Sequence, residues 1–166
     1  MPQQKSTSLT TCSVQRKSEL LTRFGRDGTA IARYFGPDSE VHYCRSPSSV
    51  YRCCTEEIVP TCDELVELYG RAVVVVWLSG LIFDLSEYVG AREKPSPDVI
   101  RQCAEVFLSQ IGGFKATEVL LFFYRCKAGA YGRFYGSADL QQLGSWWVQH
   151  WRFINNVIKD YEGNSG

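Results

Sequence analysis

Histidine is scarce in this chain. Only His42 and His150 occur among its 166 residues, and neither stands in a Ser/His/Asp or Cys/His motif, so histidine-activated nucleophilic catalysis has no footing. A P-loop is absent too, since no Gly-x-x-x-x-Gly-Lys-Ser/Thr run occurs. Net charge is zero, with 18 Lys and Arg against 18 Asp and Glu, so no whole-molecule field draws the protein to nucleic acid and any such binding has to be local. The longest apolar run, Ala72 to Phe83, falls well short of the roughly 20 residues a bilayer requires, and no membrane partner is expected. The opening MPQQKSTSLTTCS has no apolar segment of the kind a secretory signal carries, which points to a reducing cytoplasm.

The seven cysteines form an odd set in which no disulfide framework is expected. His42-x-Cys44, Cys53-Cys54 and Cys62 raise a zinc site, but adjacent cysteines diverge and make a poor clamp, so buried or incidental thiols are the expected reading. The acidic pairs Asp63/Glu67 and Asp84/Glu87 share helix faces and read as solvated rather than metal-binding. No metal, no cofactor and no enzymatic activity are expected.

What the chain does have is apolar content enough for a core, 45% hydrophobic residues with 22% charged, at a length suited to about one domain. Residues 1–12 read as a disordered tail, 13–162 as a single helical domain and 163–166 as a frayed end. A short helix is expected over Val14 to Phe24 and another from Thr29 to Tyr34, stopped by Gly36-Pro37. Residues 38–60 are expected to pack irregularly. Ser-Pro-Ser-Ser at 46–49 is loop-like, and Val41-His-Tyr and Val50-Tyr-Arg-Cys suit a short strand or a helix edge.

Thr61-x-x-Glu64 is a capping box, and apolar positions continue from it at helical spacing to a stop at Gly90. A strand over Ala72 to Leu78 competes, because Val73 to Val76 are β-branched. Ser96-Pro97 opens the next helix, and Gly112-Gly113 ends it. A further helix spans Ala116 to Lys127. The last is capped by Asp139 or Ser137 and carries the stripe Leu140, Leu143, Trp147, Trp151, Ile154, Ile158 and Tyr161, with Trp146 and Phe153 off it. The fold class expected is all-α, a small helical bundle with an irregular N-terminal third. The aromatic surplus of the last helix is either covered within the fold or meets a partner or a second copy through Trp146, Trp147 and Trp151.

Between the last two helices lies the densest combination of glycine, aromatic and cation in the chain. Gly129, Gly132 and Gly136 permit tight turning. Tyr131, Phe134 and Tyr135 alternate with them, and Arg125, Lys127 and Arg133 surround them. From residue 112 to 137 four cations face the single acid Glu118. Such a loop fits either a connector whose rings lid the core or a surface for phosphates, stacked bases or a protein partner.

Lys115-Ala-Thr-Glu118 and the run Lys127-x-Gly129-x-Tyr131-Gly132-x-Phe134-Tyr135-Gly136, with Asp139 after it and Tyr34-Phe35-Gly36-Pro37-Asp38 upstream, form a pattern. It resembles a motif of small uncharacterised proteins from phages and mobile elements of Bacteroides-type bacteria. The resemblance covers roughly two thirds of the chain and is weak outside the glycine-aromatic motif. It implies a helical protein serving a mobile element's own programme, DNA replication among the options, and it assigns no catalytic residue. One departure is the tryptophan-rich last helix, which in the resembling proteins is often rich in charge. The expected function is therefore a non-enzymatic accessory protein that contacts another protein and, through Arg125 to Gly136, single-stranded DNA. The alternative is a purely protein-binding inhibitor or assembly adaptor built on the C-terminal tryptophans.

Overall fold

The structure, a computed structural model, describes residues 13–39, 47–134 and 139–164. It is an all-α bundle. The helices are α1 Val14–Phe24, α2 Thr29–Phe35, α3 Pro47–Thr55, α4 Cys62–Tyr69, α5 Arg71–Tyr88, α6 Pro97–Ile111, α7 Ala116–Lys127 and α8 Gln141–Asn164. No helix among the described residues is long and apolar enough to cross a membrane.

Local signals set most of the helix ends. Ser13 accepts from the Arg16 N–H at the start of α1, and Ser96 accepts from Val99 N–H ahead of Pro97 in α6. Thr61 and Glu64 complete their capping box, with Glu64 N–H on Thr61 Oγ1 at 3.1 Å and Thr61 N–H on Glu64 Oε1 at 3.0 Å. Glu64 also pairs with Arg16, which ties α1 to α4.

The continuous helix expected from Thr61 to Gly90 is two helices. Gly70 sits at φ +93, ψ 152, where its N–H caps α4 on the Val66 carbonyl at 2.8 Å before the chain restarts as α5. Hydrophobic spacing runs through the break, so only the glycine marks it. Ala72 to Leu78 is helix, not strand. Val74, Val75 and Leu78 are buried within a bundle where α4, α6 and α7 pack on α5, and that helical packing outweighs the strand preference of the valines. The 38–60 stretch also departs from expectation: Pro47 stands at the first position of α3, where its missing N–H costs nothing. Val50 to Cys53 belong to this helix and not to a strand. Val41 to Tyr43 lie outside the described residues.

α7 is the centre of the molecule. Its eight residues from Ala116 to Phe123 are all buried, with α2, α3, α5 and α8 packed around it. Thr117 and Glu118 are buried polar groups that serve connections: Thr117 Oγ1 donates to the Cys53 carbonyl of α3 at 2.5 Å, and Glu118 accepts from the Lys115 N–H. Backbone bonds from Cys62 to Phe114, Asp63 to Gly112 and Ala116 to Pro60 bind the entrances of α4 and α7 together. Burying Phe122 and Phe123, each fully covered, is worth about 1.5–3 kcal/mol apiece. With α7 fixed on all sides, its C-terminal end presents Arg125 and Lys127 to the glycine-aromatic turn at a defined place.

A β-carbon at Gly70 would meet no atom within 4 Å, so replacing this residue tests backbone conformation alone. Gly70→Ala is expected to lower stability in urea denaturation by about 1–3 kcal/mol with helical circular dichroism retained.

Candidate functional site: the turn between α7 and α8

The turn folds back onto the core by its first aromatic. Gly129 at φ +76 and Gly132 at φ +136 bracket Tyr131 and let the chain reverse over the end of α7. Tyr131 stacks on Phe122 with centroids 6.0 Å apart, and its hydroxyl reaches His150 Nδ1 of α8 at 2.5 Å. Arg125 Nε donates to the same hydroxyl at 3.0 Å. A guanidinium can only donate and the phenol has a single proton. The hydroxyl oxygen accepts from Arg125 and keeps a second lone pair, so it either donates to a bare Nδ1 or accepts from Nδ1–H; donation is the arrangement that gives the buried phenol proton an acceptor. In that arrangement His150 carries its proton on Nε2.

His150 has no exposed surface and rests among Phe122, Trp147 and Phe153. Burial, with the Arg125 charge second, brings its pKa down to about 3, while the Glu118 backbone carbonyl pulls weakly the other way. Nε2 makes no well-formed hydrogen bond. Burial pushes the Tyr131 phenol up to about 12, against the favourable pull of Arg125. Arg125 is half-buried, with its guanidinium 3.6 Å from the Phe153 ring centroid and 5.5 Å from that of Tyr131. Arg125, Tyr131 and His150 make an inward-facing brace whose histidine is closed to solvent.

The outer side of the turn is different. Lys127, Gly129, Gly132, Arg133, Phe134 and Trp146 converge on one cavity of about 300 Å³, with Val89 and Cys126 completing its wall. Phe134 lies on Trp146, centroids 4.7 Å apart, and a β-carbon at Gly132 would stand 3.4 Å from Trp146 Nε1. Lys127 pairs with Asp84 of α5 and lies 5.7 Å from the Tyr88 centroid. Arg133 is exposed at the rim. Tyr135 and Gly136, the remaining members of the motif, lie outside the described residues.

The three tryptophans do not share a surface. Trp146 and Trp147 are each 5% exposed and belong to the core, whereas Trp151 is 46% exposed. The buried face of α8 is turned toward Trp146 and His150, because His150 must meet Tyr131 and Trp146 must meet Phe134. His150, which stands in no motif of the sequence, is the anchor of the turn. Its signal is positional: it falls three residues after Trp147 and four before Ile154, on the apolar face itself.

Cys53, Cys54, Cys62 and Cys126 are buried thiols outside any disulfide, and burial pushes the Cys62 thiol up. Among the described residues no group of three or more His, Cys, Asp or Glu is arranged to hold a metal. His42 and Cys44 lie outside those residues.

Residues 97–161 match the model of a family of unknown function (DUF6633), a span that takes in α6, α7, the turn and most of α8. Comparison with curated proteins and with solved structures gave no match.

Two outcomes follow from the brace. Tyr131→Phe leaves Arg125 Nε and His150 Nδ1 without their shared hydroxyl and is expected to cost about 1–3 kcal/mol in urea denaturation. His150 is depressed when folded and titrates near 6.5 when unfolded, so its contribution is complete above pH 6.5 and is lost as pH falls toward 3. Between pH 6.5 and 5 the stability of the wild type is expected to fall by up to about 1.4 kcal/mol per unit more steeply than that of His150→Gln.

Proposed function

We propose that this protein is a non-enzymatic accessory factor of a phage or mobile element, acting in the cytoplasm by contact with another protein and with single-stranded DNA. The observation that carries the reading is the cavity on the outer side of the turn, where two cations, two glycines and two aromatic rings meet in about 300 Å³. Glycines allow a backbone phosphate to approach closely, Arg133 supplies an exposed cation, and Phe134 supplies a half-buried ring for a base. The charge available is small, since Lys127 already pairs with Asp84, so binding would be modest and salt-sensitive. The setting comes from the resemblance of the glycine-aromatic motif.

The purely protein-binding reading draws on a separate observation. Trp151 and Val148, three residues apart on α8, are 46% and 47% exposed, a spacing that suits an anchor pair for a partner helix.

Fluorescence anisotropy with labelled single-stranded and duplex oligonucleotides decides between them. Binding to the single strand at low salt is expected, weakening as salt rises, with Phe134→Ala losing about 5- to 150-fold, the equivalent of one stacked base. Arg133→Ala should also weaken it. No binding at low salt, or equal binding by both variants, would remove the cavity as a nucleic-acid site and leave the adaptor reading.

A further inference from the structure

A second surface stands apart from the turn. α5 is apolar nearly all round, and its neighbours α2, α4, α6 and α7 cover only part of it. Ala72, Val76, Gly80, Phe83 and Glu87 follow one another at intervals of four, four, three and four, a single stripe along the helix. Val76 is 71% exposed and Phe83 53%, high values for side chains of this size. Beside the stripe, between α5 and α2, runs an apolar groove of about 540 Å³ lined in part by Ala72, Val73, Val76, Gly80, Gly28 and Pro37. Ridge and groove therefore occur on the same face of the same molecule.

We infer that this face is the interface of a homodimer in which two copies of α5 pack antiparallel about a two-fold axis level with Leu78. This goes beyond the reading of the turn and does not rest on it. In an isologous contact each residue faces the one equally far on the other side of the axis. Val76 of one copy then meets Gly80 of the other, where the missing side chain leaves room for it. Phe83 meets Val73 and Ala72 and enters the groove beside them. The open hollow and the protruding ring thus fill one another twice.

The charges agree with that register. α5 begins at Arg71 with no side-chain cap and no acidic residue in its first turn, so its N-terminus carries an uncompensated positive pole. Antiparallel packing brings Glu87 of the second copy to that end, beside Arg71. Glu87 already meets Lys94 of its own chain at 2.7 Å, an exposed contact that leaves the carboxylate able to take a second cation. A parallel arrangement would stack Phe83 on Phe83 and Glu87 on Glu87 and leave both hollows empty. A second copy satisfies apolar shape and charge together, which selects it over a partner that would fill the groove alone.

Sedimentation equilibrium of the full chain over a range of concentrations tests this. A reversible dimer is expected, with Val76→Lys raising its dissociation constant about a hundredfold or more, at unchanged circular dichroism. Glu87→Arg should weaken it about tenfold, and adding Arg71→Glu should restore most of that loss. A monomer at all concentrations, or a dimer indifferent to Val76→Lys, overturns the proposal. Failure of the double variant to recover overturns the antiparallel register.

Discussion

A buried imidazole needs a hydrogen-bond partner within the protein, and here the Tyr131 phenol is the partner of His150 Nδ1. The Tyr131 oxygen accepts from Arg125 while its proton is available to His150 Nδ1, and the Arg125 guanidinium lies over the Phe153 ring. Three residues from α7, the turn and α8 are thereby bound to one another. Without the arrangement the turn would rest on the Tyr131–Phe122 stack and on the Trp146–Phe134 contact to α8.

The brace divides the glycine-aromatic turn into two sides with different chemistry. Tyr131 faces inward, and its polarity is spent on the core. Gly132, Arg133 and Phe134 remain on the outside with Lys127, and Trp146 forms the floor beneath them. It also changes what the local positive charge means. Lys115 donates to the Val59 carbonyl, Arg125 is packed under Phe153 and Lys127 is paired with Asp84, which leaves Arg133 as the exposed cation of this stretch. A ligand at this place would be held by shape and stacking more than by field.

Much of the bundle was legible because helix ends are written locally. Ser96-Pro97 and Thr61-x-x-Glu64 name their own helices, and α1, α6 and α7 stand where capping and apolar spacing put them. The break at Gly70 was hidden, since apolar period and phase carry on across it and only a positive φ separates the two helices. α3 was hidden by Pro47, which reads as a loop residue until its place at the first helical position is known. The face of α8 was legible in kind but not in rotation: on a helix Trp146, Trp147, His150, Trp151 and Ile154 spread over an arc of about 140°, wider than one interface needs. Which part turns inward depends on Tyr131 and Phe134, partners from the turn before it. Of the candidate site, the glycines and rings identified the place, while their division into an inner and an outer side required the positions of Phe122, Asp84 and His150.

The protonation state of His150 bears most directly on the brace. Nitrogen chemical shifts of the imidazole, followed by NMR from pH 7 to 4, should show Nδ1 unprotonated and Nε2 protonated throughout, with no titration in that range. A ring that titrates near 6.5, or one protonated on Nδ1, would mean that Tyr131 does not donate to it, and the turn would then be held by something other than this brace.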